Sequence, residues 1–223
     1  FLPHPRNNLH QIMLFPYTYN IYVIYFISIF MSSKFKILNK VNIHSGFFNM
    51  NKVTLKYKKF DGSWSKEIDR ELFGGAQVAT VLPYDPINRK IVLIKQFRPG
   101  TMSKGNNNYL YEIVGGIIDA EEDPEETAKR ECIEETGCKI KKLTSIQAYY
   151  PAPGSSESFY HLYLGEVDAP NGEYIKGLKT ENEDILVKSY SYAEVRKKLE
   201  NKEIINAMAL IALQWFFLNV DKD

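Results

Sequence analysis

The stretch GGIIDAEEDPEETAKRECIEETGC, Gly115 to Cys138, crowds carboxylates onto what must be one short helix. Asp123 is suited to cap that helix, Pro124 to its first position, and Glu126 completes a D-x-x-E capping-box pattern. Gly137 supplies a left-handed stop, so the spacing predicts a helix over Pro124 to Thr136. On it, Glu131, Glu134 and Glu135 fall along one stripe, while Ala128 and Cys132 share another side that faces a core. The Glu131/Glu135 pair repels at i,i+4 and sits away from the helix N-terminus, where the dipole would favour it. Arg130 offers partial relief. Carboxylate oxygens with little else suit a hard divalent ion, Mg²⁺ or Mn²⁺, whereas Zn²⁺ would want imidazole or thiolate.

The flanks of this stretch read as strands. YLYEIV leads into it as one strand; before it, QVATVLPY and KIVLIKQF are apolar runs joined by the tight turn DPINR, as buried strands of a central sheet would be. Further upstream, VTLKYKKF alternates around Val53, Leu55 and Tyr57, and DGSW turns the chain into KEIDRELF, a hairpin suited to a small N-terminal subdomain. Downstream, KIKKLTSIQAYY and SFYHLYLGEVD are strands joined by PAPGSSE, DILVKSYSY is another, and SYAEVRKKLENK and NAMALIALQWFFLNV are helices. The pattern is mixed α/β, with the acidic helix lying on a sheet.

Composition narrows the function. In 223 residues, 28 basic and 27 acidic side chains leave a formal charge of +1, so no basic field covers the whole molecule to draw in nucleic acid. The two cysteines, Cys132 and Cys138, occupy apolar positions without C-x-x-C spacing and read as core residues in a reducing compartment. No H-E-x-x-H, G-x-S-x-G or G-x-x-x-x-G-K-[ST] pattern occurs. The uncharged run from Ile12 to Met31 has the length of a membrane span but contains Pro16 and Asn20. Met31 is read as the natural start, residues 1–30 being upstream translation; a hydrophobic anchor is the other reading.

An acidic helix alone is usually a solvated face. The order of residues argues otherwise: Gly116, five residues, Glu122, seven residues, Arg130, Glu131, Cys132, then Glu134, Glu135, Gly137 and Cys138. This resembles the box of the Nudix hydrolases at every fixed position. Beyond the box the chain is similar to bacterial ADP-ribose pyrophosphatases over nearly all of Met31 to Asp223, through RELF (Arg70 to Phe73), VLPYDP, QFR ending at Arg98, LYEIVGG, PAPG, ENEDI (Glu181 to Ile185) and NAMALIALQW. Pro153 stands sixteen residues past Gly137, the mark of the ADP-ribose branch.

The resemblance implies an α/β fold: a Nudix-type mixed β-sheet flanked by helices as an α/β/α sandwich, residues 76–223, with a small, dimer-forming N-terminal β subdomain at 31–75. It implies metal ligation by the Gly115 carbonyl and by Glu131, Glu135 and Glu183. Glu134 and Arg130 belong to the catalytic helix, and Glu181 falls where the family keeps the base that activates water. Substrate contacts fall to Arg70, Arg98, Ala152, Pro153, Gly154 and Glu157, with adenine stacking on Phe47 and Phe48 across a domain-swapped homodimer. One departure stands out: the family's glutamate five residues after the loop proline is here Ser158, and the acid is Glu157. The expected function is Mg²⁺-dependent (Mn²⁺ as an alternative) hydrolysis of ADP-ribose to AMP and ribose 5-phosphate by a cytoplasmic homodimer. The alternatives are a nucleotide-sugar diphosphatase acting on UDP-glucose or GDP-mannose, and a non-catalytic nucleotide-binding module.

Overall fold

The computed structural model describes residues 34–103 and 108–222. The reading of residues 1–30 lies outside them. The elements run β1 (Phe35–Ser45), β2 (Asn49–Tyr57), β3 (Ile68–Phe73), β4 (Gln77–Asp85), β5 (Lys90–Phe97), β6 (Tyr109–Glu112), β7 (Val114–Ile117), α1 (Pro124–Thr136), β8 (Lys142–Tyr149), β9 (Phe159–Glu166), β10 (Glu173–Lys176), β11 (Ile185–Ser191), α2 (Tyr192–Glu200) and α3 (Ala207–Asn219). Among the described residues, no helix is long and apolar enough to cross a membrane.

Contacts divide the chain into two units. The smaller comprises residues 34–43 of the described chain with Asn51–Glu71, and the larger comprises His44–Met50 with Leu72–Asp223. Strands β1, β2 and β3 form a three-stranded sheet in that order. The β2–β3 hairpin follows the sequence pattern, but β1 was not legible: every residue of it is exposed, so it lacks the one-sided burial that produces clean alternation.

The main sheet has the order β10-β11-β5-β4-β9-β8. It is mixed, because β4 and β9 run parallel while their other neighbours are antiparallel. One face carries Ala79, Val81, Val92, Ile94 and Val114 against Ala128 and Cys132 of α1. The other carries Leu82, Ile91, Leu93 and Leu162 against Val195 of α2 and Ala209, Leu213 and Phe216 of α3. The central strands β4 and β5 therefore bury both faces, as their apolar runs require, and the layers form an α/β/α sandwich.

YLYEIV is not one strand. It breaks at Ile113: β6 pairs with β5, then β7 pairs with β4. Strands β4 and β5 are themselves paired only at Tyr84/Ile91 and Asp85/Lys90, beside their connecting turn. Beyond that end β6 and β7 fill the space between them. The short β10, EYIK, also escaped the sequence pattern, having only four residues at the sheet edge.

The β4–β5 turn is organised by Asp85, which is 1% exposed. It accepts hydrogen bonds from the backbone N–H groups of Ile87 (2.9 Å), Asn88 (2.9 Å) and Ala169 (3.0 Å) and from Asn88 Nδ2 (2.8 Å). Burial pushes its pKa up, but these donors outweigh burial and hold it at about 2. The stabilisation is therefore complete above the ordinary carboxyl range near 4 and is lost as pH falls toward 2. Asp85→Ala should cost about 3 kcal/mol, on the scale of several buried hydrogen bonds to a charged acceptor. Urea titrations at several pH values should show the wild-type loss between pH 4 and 2 flattened in the variant.

Candidate active site

Helix α1 spans the residues the sequence predicts. The Asp123 side chain accepts from Glu125 N at 2.8 Å, and Gly137 closes the helix at φ 71°. The predicted capping box is not made, because the Glu126 carboxylate turns outward to Lys129 at 2.6 Å. Thr127 compensates near the N-terminus, donating its hydroxyl to Glu122 at 2.7 Å.

Arg130 is the hub of the helix. Its Nε and Nη2 grip both oxygens of Glu122 at 2.9 Å each, while Nη1 reaches Glu131 at 2.8 Å and Glu134 at 2.9 Å. The guanidinium holds Glu122 at about 2, with Thr127 as a second donor. The box thus ties its upstream acid to its helix through one side chain.

Two glycines bring helix and sheet together. A Cβ on Gly116 would stand 1.9 Å from Glu131 Oε1, so only glycine lets that carboxylate lie against β7. Gly115 N–H donates to Glu135 Oε2 at 3.2 Å. Gly115 is opposite Thr80 in an antiparallel ladder, and an N–H directed away from the partner strand marks this as the pair that exchanges no ladder bonds. In such a pair the carbonyl of the same residue turns away from the partner as well.

Glu135 is 3% exposed. Burial raises its pKa well above the carboxylate range, and the charges of Glu131 and Glu183 push the same way; Gly115 N–H and Arg98 only partly oppose them. Glu131 is raised for the same first reason, burial, against the pull of Arg130. Glu183 is half-buried and accepts from Leu178 N at 3.0 Å. Glu131, Glu135 and Glu183 are thus electrostatically coupled, although among the described residues no three acidic, imidazole or thiol groups converge closely enough to enclose an ion. Glu181 ends the short 3₁₀ turn Lys179–Glu181, two residues from Glu183.

Arg98 follows β5 and does not stand alone. Its Nε lies 3.1 Å from both oxygens of Glu112 and its Nη2 2.8 Å from Oε2. Glu112, 1% exposed, also accepts from Asn206 Nδ2 at 3.1 Å. Sequence reading missed Glu112 as a site residue; the signal was a lone acid within the apolar strand YLYEIV.

The remaining predicted residues are more dispersed. Ala152, Pro153 and Gly154 are exposed in a turn closed by Ser155 N and Ser156 N, both donating to Ala152 O at 3.0 and 2.9 Å. Pro153 and Glu157 line a hollow of about 360 Å³ with Leu72, Tyr150 and Ser156. Ser158 is engaged within the loop, accepting from Ala76 N at 3.3 Å and from Ser156 Oγ at 2.9 Å. Phe47 and Phe48 are 87% and 54% exposed and meet edge to face at 4.8 Å. Arg70 belongs to the smaller unit, where Nη1 donates to Asp69 O at 2.7 Å.

Comparison with known proteins shows the family. Residues 76–210 match the NUDIX domain, and the chain belongs to that family. It is 34% identical to the ADP-ribose pyrophosphatase of Escherichia coli strain K12 over 184 residues, covering 82% of this chain and 88% of that one. It is 28% identical to the GDP-mannose pyrophosphatase of Cronobacter sakazakii over 185 residues, 82% of this chain and 95% of that one. Among solved structures, an ADP compounds hydrolase is similar in fold at TM-score 0.64 and 20% identity, covering 85% of this chain and 96% of that one.

The Arg130 network gives a direct test. In Arg130→Met the Glu122 carboxyl should climb from about 2 toward its ordinary value near 4.5, read by carbon-detected NMR titration. An unmoved Glu122 would mean that Thr127 and the backbone, rather than Arg130, set its charge.

Proposed function

We propose that this protein is a metal-dependent hydrolase that splits the diphosphate of ADP-ribose into AMP and ribose 5-phosphate. The observation that carries the reading is Glu135: a carboxylate at 3% exposure, further disfavoured by Glu131 and Glu183, needs a cation to be ionised. The donor set fits Mg²⁺, or Mn²⁺, because it is all oxygen: Glu131, Glu135, Glu183 and the outward carbonyl of Gly115. A divalent ion held there would neutralise charge on the diphosphate and acidify a water.

The chain's own residues do the rest. Arg98, its fork preset by the buried Glu112, offers its remaining N–H donors to a phosphate oxygen. Arg130 holds Glu131 and Glu134 in place from the back of the site. Glu181 takes the proton of the attacking water as general base. The Ala152–Pro153–Gly154 turn and Glu157 border the ribose end, Arg70 contributes a second guanidinium, and Phe47 and Phe48 stack the adenine. The subdomain 31–75 forms a homodimer with residues 76–223 as the catalytic domain. Support for the dimer comes from β1, whose Phe35, Ile37, Leu38, Val41 and Ile43 are 45–52% exposed.

The 34% identity to an ADP-ribose pyrophosphatase supports the substrate assignment. A second reading, GDP-mannose or another nucleotide sugar such as UDP-glucose, draws on the replacement of the expected loop acid by Ser158, with exposed Glu157 beside it.

Chromatographic product analysis should find AMP and ribose 5-phosphate from ADP-ribose only when Mg²⁺ is present, ahead of GDP-mannose and UDP-glucose. Cleavage of a sugar nucleotide instead would reassign the substrate, and no cleavage at all would leave a binding module. Glu135→Gln should remove most metal-dependent turnover. Glu181→Gln should lower kcat by about a hundredfold or more with KM nearly kept, as loss of a general base does; a change confined to KM would make Glu181 a substrate contact.

A further inference from the structure

A second polar cavity, of about 520 Å³, lies away from the carboxylate site and takes no part in the chemistry above. Its walls are the β4–β5 turn, the start of α2 and the segment after α3, with Asn88, Arg89, Ser191, Arg196, Lys197 and Asn201 contributing side chains. Arg89 precedes β5 and Arg98 follows it, so the cavity and the proposed substrate arginine are at opposite ends of one strand, roughly 30 Å apart at about 3.3 Å per residue.

The two arginines are held rather than free. Asp221, 6% exposed, takes Arg89 Nη2 on one oxygen at 2.6 Å and Arg196 Nη2 on the other at 3.4 Å. Arg196 Nη2 also donates to Asp221 O at 3.1 Å. Arg89 stacks 5.0 Å over Tyr192, and Arg196 4.4 Å over Phe217. Arg89 also adopts a left-handed backbone, φ 49°, which a side chain rarely accepts without compensation; here its carbonyl receives Tyr192 N–H at 3.2 Å. Both guanidiniums engage Asp221 through Nη2, which leaves the Nε–H and Nη1–H donors of each for another acceptor.

We infer that this cavity is a binding site for a phosphate monoester, held by the remaining N–H donors of Arg89 and Arg196 with Lys197 beside them. Three cations line it against two carboxylates, Asp221 and Glu200, so it keeps one net positive charge after Asp221 has done its work of orientation. Two guanidiniums preset by Asp221 and by stacking offer N–H donors to phosphate oxygens, while the amide oxygens of Asn88 and Asn201, whose nitrogens are taken by Asp85 and Glu203, suit sugar hydroxyls. The volume exceeds what a free phosphate ion needs and suits a phosphorylated sugar or a mononucleotide. Both products proposed above belong to this class; that link rests on the proposed reaction, but binding does not.

The test is NMR of the arginine Nε–H signals in the full chain, titrated separately with inorganic phosphate, ribose 5-phosphate and AMP. Signals are assigned with Arg89→Gln, Arg98→Gln and Arg196→Gln. Saturable shifts of Arg89 and Arg196 are expected with at least one monoester, and the ranking of the three probes identifies the source. Arg196→Gln should weaken binding about tenfold or more, and Arg196→Lys should not restore it, because one ammonium cannot hold Asp221 and donate to the ligand as a planar guanidinium does. If glutamine at these positions unfolds the chain, Lys197→Ala, with unchanged melting, should weaken binding several-fold by removing one contact. Shifts at Arg98 alone, shifts that never saturate, or full rescue by Arg196→Lys would overturn the site. The readout is binding without turnover, so an inactive chain would sink the proposed reaction without touching this result.

Discussion

The site depends on how one guanidinium distributes its donors among three acids. Arg130 faces Glu122, Glu131 and Glu134, and each would otherwise repel the others across one turn of helix. A single exposed ion pair is worth little, but a planar fork that fills both oxygens of one acid while touching two more is a network, with its charges only partly exposed. It also links the chain segment before α1 to the helix itself, fixing the azimuth at which Glu131 and Glu135 meet β7. The close approach at Gly116 then follows: the Glu131 carboxylate occupies the space a β-carbon would need.

The second constraint is burial. Glu135 and Glu112 are both nearly sealed, yet they are handled oppositely. Glu112 is matched by Arg98 and Asn206 and so serves as a fixed anchor. Glu135 receives a single backbone N–H and the charges of two neighbouring acids, which leaves its ionised form under-compensated. Buried carboxylates of the first kind position other groups. Those of the second kind mark where a positive charge is missing from the protein itself.

Much of this was legible in the sequence because it is local. The bounds of α1, the chain reversal at Asp85 and the burial of the apolar runs in β4 and β5 follow from caps, turn residues and periodicity over a few positions. What escaped was set by distant partners. β1 shows no alternation because neither face is covered, and β10 is too short for a period to register. YLYEIV reads as continuous, and nothing within it announces that its halves pair with different strands. The capping box failed for a related reason: the D-x-x-E spacing was present, but Lys129 competed for Glu126. Among the site residues, the box glycine and glutamates were readable from their order, whereas Glu112 acquires its importance only from Arg98 and Asn206, far along the chain.

The division at Ile113 bears on where a sheet can meet a ligand. Sheets ordinarily offer unpaired backbone groups only at their outer margins, which folding must shield from other chains. Here β4 and β5 part after two residue pairs, and the strand inserted beside β4 has an open side within the layer. The fold thereby creates a margin in its own interior, flanked by helix on one face and by strands left and right. Peptide dipoles along that seam are only partly exposed and lie between strands, so the sheet offers backbone groups to a small ligand without a long outer rim.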